Sequence, residues 1–252
     1  MRFTRLFVFL FAALLIAVSA PITAQEALST ISVDGFSFSY DPSLASNVYI
    51  VPMRAEDLTD TFPTPAPHTR IILSNDDVNV PQGLYDAVGT IMIFDTADFN
   101  ESQAAAFDSI QMMLAERPNL ALYEGPQGNL VFLPEIAEGQ MIRARSFYLD
   151  METYSGIGFI TKYGAAREPF TQENWLFTFQ GVSSDGERYV SAIFPLTVGV
   201  LPAEPPAVEP EAFAANWDSY LMETVAQINR AEIDQFSPSL SAMEQVVNSF
   251  SF

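Results

Sequence analysis

Trp175-Leu-Phe-Thr-Phe-Gln-Gly-Val182, then Ser183-Ser-Asp-Gly186, then Arg188-Tyr-Val-Ser-Ala-Ile-Phe-Pro-Leu196 is the stretch on which the fold turns. Two runs rich in aromatic and β-branched residues flank a short polar segment ending in Asp-Gly. That pattern is a β-hairpin, because Gly accepts the backbone of a tight turn at no steric cost. Working upstream, Leu130–Leu133, Met141–Leu149 and Gly156–Tyr163 have the same character. Five successive strands without a helix between them predict an antiparallel meander rather than a parallel sheet. Further upstream, Ile31 and Val33, then Phe36, Phe38 and Tyr40, alternate with polar residues on either side of Asp34-Gly35, a second hairpin. Asp41 to Ala45 reads as a short helical turn, and Val48–Val51, Arg70–Leu73 and Thr90–Phe94 read as strands. Between the first two of those strands, Pro63, Pro65 and Pro67 make Thr61–Pro67 a stiff, extended loop.

Helices enter at three places. Over 100–116, Asn100 serves as N-cap, Gln103 completes a capping box, and Arg117-Pro118 ends the helix. Phe107, Ile110 and Leu114 fall on its inner face. A loop over 203–210, with Pro205, Pro206 and Pro210 among acids, leads into a C-terminal helical segment, 211–252. There a helix over 212–230 carries the stripe Phe213, Trp217, Leu221, Val225, Ile228. Another over 238–248 starts at Ser237-Pro238, read as an N-cap followed by Pro at the first helical position, with Leu240, Met243 and Val247 inward. Phe250-Ser-Phe252 closes the chain as an edge strand. One-sided apolar stripes need a partner surface. The expected architecture is therefore α+β: one domain over 25–252, a mostly antiparallel sheet covered by helices on at least one face.

The first 24 residues stand apart. Arg2 and Arg5 precede an unbroken apolar run from Leu6 to Val18, and small residues follow through Ser19, Ala20, Thr23 and Ala24. This is the layout of a secretory signal peptide, and the run is too short to span a bilayer. Cleavage falls after Ala24 or after Ala20. No Cys follows, so no lipid anchor is expected, and the destination is the periplasm or the extracellular space.

Composition removes several functions. With 31 Asp+Glu against 11 Lys+Arg, a net charge of −20 and Lys162 as the single Lys, the chain has no electrostatic footprint for nucleic acid or anionic lipid. The signal contains two of the Arg and no acid, so its loss makes the chain more acidic still. Zero Cys and one His exclude disulfides, thiolate metal sites, cysteine nucleophiles and any mechanism needing two imidazoles. With 49% hydrophobic residues and 21 Phe, the core alone can carry stability.

Gly35-Phe-Ser-Phe-Ser-Tyr-Asp-Pro42, Asp185-Gly-Glu-Arg-Tyr-Val-Ser-Ala-Ile193 and Met243-Glu-Gln-Val-Val-Asn-Ser-Phe-Ser-Phe252 together resemble the PsbP-like family of exported photosystem subunits and their non-photosynthetic relatives. They are similar, in order, to its opening strand and turn, its Asp-Gly hairpin, and its closing helix and strand. The resemblance implies an antiparallel sheet with helices packed on it and a binding or assembly role without catalysis. The Pro-rich loop near Ala203 and the long helix after it depart from the family pattern, and no functional residue carries across.

Chemically distinctive residues are few. His68 is the one imidazole, and no Gly-x-Ser-x-Gly elbow accompanies it; a histidine of a loop or strand edge is expected. Asn75, Asp77, Asn79 and Asp86 have the spacing of calcium-loop positions 1, 3, 5 and 12, but Val80 stands where the loop needs Gly and Pro81 interrupts it; a solvated turn is the plainer reading. Arg143 and Arg145 lie two apart, so a regular strand would project both to one face, where they pair with Asp150 or Glu152 or clamp an anion. Glu135 and Glu138 form a carboxylate pair, and Tyr163, Trp175 and Phe177 are aromatic residues able to stack on a sugar. Gly156-x-Gly158 precedes strand residues and is no nucleotide loop. No cofactor is expected. The leading expectation is a non-catalytic binding or structural protein with an envelope or extracellular partner; the rival is a carboxylate-dependent hydrolase of extracellular glycan.

Overall fold

The computed structural model describes residues 27–58, 64–126 and 128–252. The expected signal peptide, residues 1–24, and the first part of the Pro-rich 61–67 loop lie outside the described residues. The chain opens with the expected hairpin, β1 (Ser29–Val33) and β2 (Phe36–Tyr40), whose turn residues Asp34 and Gly35 both have positive φ, 51° and 79°. A first meander follows: β3 (Asn47–Met53), β4 (His68–Ser74) and β5 (Gly89–Asp95). Helix α1 (Glu101–Glu116), with its capping box of Asn100 and Gln103, ends at Arg117 in the left-handed region. The chain then crosses to the far side and returns through a second meander: β6 (Gly139–Asp150), β7 (Tyr154–Gly164), β8 (Trp175–Ser183) and β9 (Arg188–Val198). β9 pairs with β5, so one antiparallel sheet runs β3-β4-β5-β9-β8-β7-β6.

Helices α2 (Pro210–Ala215), α3 (Trp217–Arg230) and α4 (Leu240–Asn248) complete the chain. The side chains of successive strand residues alternate between two sheet faces, and each face is covered. On face one, Phe177, Phe179, Val190, Ala192 and Phe194 pack with the hairpin residues Phe36 and Phe38 and with Trp217, Leu221, Val225, Ile228, Met243 and Val247. The stripe read from 212–230 is therefore buried from Trp217 onward. On face two, Ile157, Phe159, Leu176, Tyr189 and Ile193 pack with Phe107 and Ile110 of α1 and with Leu130, Phe132 and Leu133. Burying each such side chain stabilises by about 1.5–3 kcal/mol. The result is an α+β fold, a mostly antiparallel sheet with helices packed on it. No helix among the described residues is long and apolar enough to cross a membrane.

Four expectations need correction. Leu130–Leu133 is not a strand but a buried, irregular segment. Side chains projecting from the sheet satisfy its backbone: Tyr189 Oη accepts from Leu133 N–H (3.2 Å) and donates to Leu133 C=O (3.0 Å), and Gln180 Nε2 donates to Val131 C=O (2.6 Å). Buried peptide groups must find partners, and here polar sheet residues supply what a neighbouring strand otherwise would. The helix expected over 212–230 breaks at Asn216, dividing α2 from α3. Ser237 is no N-cap: Phe236–Ser237 forms β10, paired to Val198 and Thr197 of β9, and α4 starts two residues past Pro238 with Ser239 as its cap. A residue before Pro is pushed out of the helical region, so Ser237 takes the extended backbone the ladder needs. The closing segment forms only a single bridge, Ser251 to Ser37, with both backbone hydrogen bonds at 2.9 Å.

Because Tyr189 Oη also reaches Gln180 Oε1 (3.0 Å), it links strand, strand and buried segment. Tyr189→Phe leaves those groups unpaired and should destabilise the protein by about 1–3 kcal/mol, measured by urea unfolding.

Candidate functional site

The edge strand β6 carries one extra residue where Ala144 pairs with Ile160 and Phe147 with Gly158. Arg145, at φ 51°, is the turning point of this bulge. The bulge breaks the two-residue alternation, so Arg143 and Arg145 do not share a face. It also leaves two N–H groups outside the ladder, and distant side chains catch them: Arg145 N–H donates to Asn229 Oδ1 (2.7 Å) and Ser146 N–H to Glu124 Oε1 (2.8 Å). Asn229 Nδ2 donates to the other oxygen of Glu124 (2.8 Å). Both oxygens of Glu124 are thereby occupied in holding the bulge.

Neither arginine pairs with Asp150 or Glu152, and neither is an open anion clamp. Arg143 is 2% exposed on face two. Its guanidinium donates to the carbonyls of Tyr123 (2.9 Å), Gln140 (3.1 Å), Gly125 (2.5 Å) and Gly128 (2.5 Å). Five donors in a rigid fork suit a cluster of carbonyls as well as a carboxylate. Burial pushes its pKa down, though not enough to discharge an arginine. Arg145 turns the other way, donating to Ile228 C=O (3.3 Å) and Ala231 C=O (2.7 Å) at the end of α3 and lying over the Phe236 ring. A cation there complements the helix C-terminus. Asp150 is taken by Arg117, which also lies over Tyr148.

Beside the bulge, between β6 and the last two helices, lies a groove of about 730 Å³. Phe147, Ile160, Phe177 and Leu240 give it an apolar floor, with Arg117 and Tyr148 towards one side and Glu244 among its polar groups. Phe147 lies against β7 because residue 158 is Gly, where a Cβ would stand 2.3 Å from its ring. The carboxylate of Glu244, on α4, makes no hydrogen bond or ion pair among the described residues. Burial raises its pKa above the ordinary carboxylate value, and the charge of Arg145 opposes the rise.

The other sequence candidates fall elsewhere. In the 75–86 loop the organising carboxylate is Asp76, which the calcium spacing skips; it accepts from Val78 N–H, Asn79 N–H and Asn79 Nδ2. Asn75 Oδ1 is turned to Ser46 N–H, and Asp86 Oδ2 to Gly83 N–H. Asp77 is exposed. Among the described residues no group of three or more His, Cys, Asp or Glu is placed to hold a metal ion. His68 begins β4, the strand-edge alternative of the expectation, half-buried, with its ring 4.8 Å from that of Phe94 and Nδ1 donating to Ala66 C=O. Burial pushes its pKa down, more than that hydrogen bond restores. Glu135 and Glu138 are exposed on the segment before β6, while Trp175 and Phe177 are core residues. Asn229, Glu124 and Glu244 had no local signal, since what they hold or face is far away in the chain. A scan against protein-family models finds no match, and no curated protein matches the sequence.

Arg143→Gln should cost about 2–5 kcal/mol, because several buried carbonyls lose a charged donor. Arg143→Lys should restore little, lacking the fork. Arg117→Gln, at a partly exposed pair, should stay within about 1 kcal/mol of the parent. Thermal and urea unfolding of the three variants measure this.

Glu244 gives a pH signature. Its folded pKa lies above the unfolded one, so the folded state gains a proton first as pH falls. The cost of burying its charge is present above the folded pKa and fades as pH drops through that value towards the ordinary 4.5. Glu244→Gln should therefore raise Tm at pH 7 and leave it unchanged at pH 4, read by calorimetry at both.

Proposed function

We propose that the protein is an exported, non-catalytic binding protein of the cell envelope or extracellular space, and that its ligand occupies the groove beside the β6 bulge. The observation that carries this reading is the pairing state of the groove's charges. Arg145 is tied to helix carbonyls, Glu124 to Ser146 and Asn229, and Arg117 to Asp150, whereas Glu244 is half-buried and unpaired over an aromatic floor. A pocket of this size with an apolar floor, one carboxylate without a hydrogen bond and the unpartnered Ser146 hydroxyl suits a small ligand. The complement of Glu244 is an apolar body carrying one hydrogen-bond donor or ammonium group.

A glycan hydrolase remains the second reading, because two carboxylates, Glu124 and Glu244, line the same groove. Glycoside hydrolysis requires both to act on substrate or water, one as general acid and the other as base or nucleophile. Glu124 accepts protein N–H groups on both oxygens, which favours binding over catalysis. A PsbP-like relationship is part of the proposal. Its support is that two of the three resembling segments meet on face one: Ser37 bridges Ser251, and Ser39 N–H donates to Ser249 Oγ (2.8 Å).

NMR titration with 2-phenylethylammonium tests the reading. Shifts should concentrate at Phe147, Tyr148 and Leu240, and Glu244→Gln should weaken binding about tenfold or more. Shifts absent from the groove would overturn it. Release of nitrophenol from aryl glycosides, abolished by Glu244→Gln, would replace it with the hydrolase reading.

A further inference from the structure

On face two, at the opposite side of the sheet from the groove, a second cavity of about 520 Å³ opens over β4 and β5. Much of its wall is apolar: Met53, Leu58, Leu84, Met92, Ile136 and Ile193. Two polar side chains in it lack the partners their burial demands. Arg70, half-buried on β4, makes one long hydrogen bond, 3.4 Å to the Gln82 carbonyl. Burial pushes its pKa down with nothing opposing. The ion pairs among the described residues are Arg54 with Glu56 and Arg117 with Asp150, so no described carboxylate pairs with Arg70. Arg143 and Arg145 also lack a carboxylate among the described residues, but backbone carbonyls engage their guanidinium groups several times over, whereas Arg70 has the one long contact. The one acid of the cavity wall, Asp57, is exposed and turns Oδ2 to Arg54 N–H. His68, also on the wall, has Nδ1 committed to Ala66 C=O.

The second is Thr90, 5% exposed on the cavity floor, whose Oγ1 has no hydrogen-bond partner. The large majority of buried hydroxyls have a partner, so an orphan requires a reason; Ser146 and Ser191 are the other two among the described residues, and neither lines this cavity. Arg70 pairs across the ladder with Met92, and Thr90 is two residues from Met92 on the same strand and face. Arg70 and Thr90 are therefore diagonal neighbours, about 7–8 Å apart at the backbone, a separation that one bound headgroup spans. Arg is purely a donor, and the hydroxyl can donate as well. What they lack is an acceptor, and a planar carboxylate fits the guanidinium fork.

We propose that this cavity is a binding site for a small organic anion of the alkyl carboxylate class, its headgroup held by Arg70 and Thr90 and its tail against the Met92–Ile193 wall. The site is independent of the groove beside β6. Its headgroup chemistry is shared with phosphate, but the apolar wall favours a tailed carboxylate.

Calorimetric titration of the full chain with octanoate, octanamide and inorganic phosphate tests it. Octanoate should bind about tenfold or more tightly than octanamide, and phosphate more weakly than octanoate. Arg70→Gln should reduce octanoate to the octanamide level, and Thr90→Val should weaken it severalfold. Glu244→Gln should leave octanoate binding unchanged, which separates this site from the groove. Octanoate binding no tighter than octanamide in the parent protein would overturn the proposal without recourse to any variant. So would a folded Arg70→Gln protein that binds octanoate as the parent does, or phosphate binding as tightly as octanoate.

Discussion

The pairing of β5 with β9 joins two meanders that are otherwise separate. Thr90 lies opposite Ile193 and Asp95 opposite Arg188, residues roughly a hundred positions apart in the chain. Such a contact must repay a long loop closure, and its return is a sheet with two continuous faces. Face one then receives the N-terminal hairpin and the last two helices, and face two receives α1 and the buried segment after it. Without this ladder neither aromatic layer has an opposite wall.

The two faces solve the problem of burial differently. Face one is almost wholly apolar, with Phe36, Phe38 and Phe250 in mutual ring contact and Phe179 against Phe250. Face two mixes apolar packing with a polar stripe that includes Arg143, Thr161, Thr178 and Gln180, all buried. Thr161 and Thr178 hydroxyls donate to the neighbouring carbonyls of Ile142 and Phe159. Gln180 and Arg143 reach out to irregular backbone instead. That choice lets a loop lie where a helix or strand would otherwise be needed, and the unpaired hydroxyl of Thr90 lies on this same face.

Both cavities follow from the strand irregularities and coverings rather than from regular elements. The groove exists because the β6 bulge turns Arg145 and Ser146 away from the ladder and anchors them to Asn229 and Glu124. The face-two cavity exists where α1 and the 130–136 segment stop covering β4 and β5. Polar groups near the first are mostly committed to structure; two near the second are not. Charge pairing, more than cavity size, distinguishes what each can hold.

Local pattern in the sequence determined most elements of the fold. The Asp34-Gly35 and Ser183–Gly186 turns, the capping box at Asn100 and Gln103, and the stripe from Trp217 to Ile228 each depend on residues within a few positions of one another, and each is present. Leu130–Leu133 has a strand's composition, but its conformation was decided by Tyr189 and Gln180, which satisfy its backbone from the sheet. Ser237-Pro238 has a helix start's composition, but a ladder place beside Thr197 decided its state. Arg143 and Arg145 look equivalent until a bulge, fixed by Asn229 84 residues away, sends them to opposite faces. Nothing local could reveal these outcomes, because the partners that set them come together only when the sheet closes and its two faces are covered.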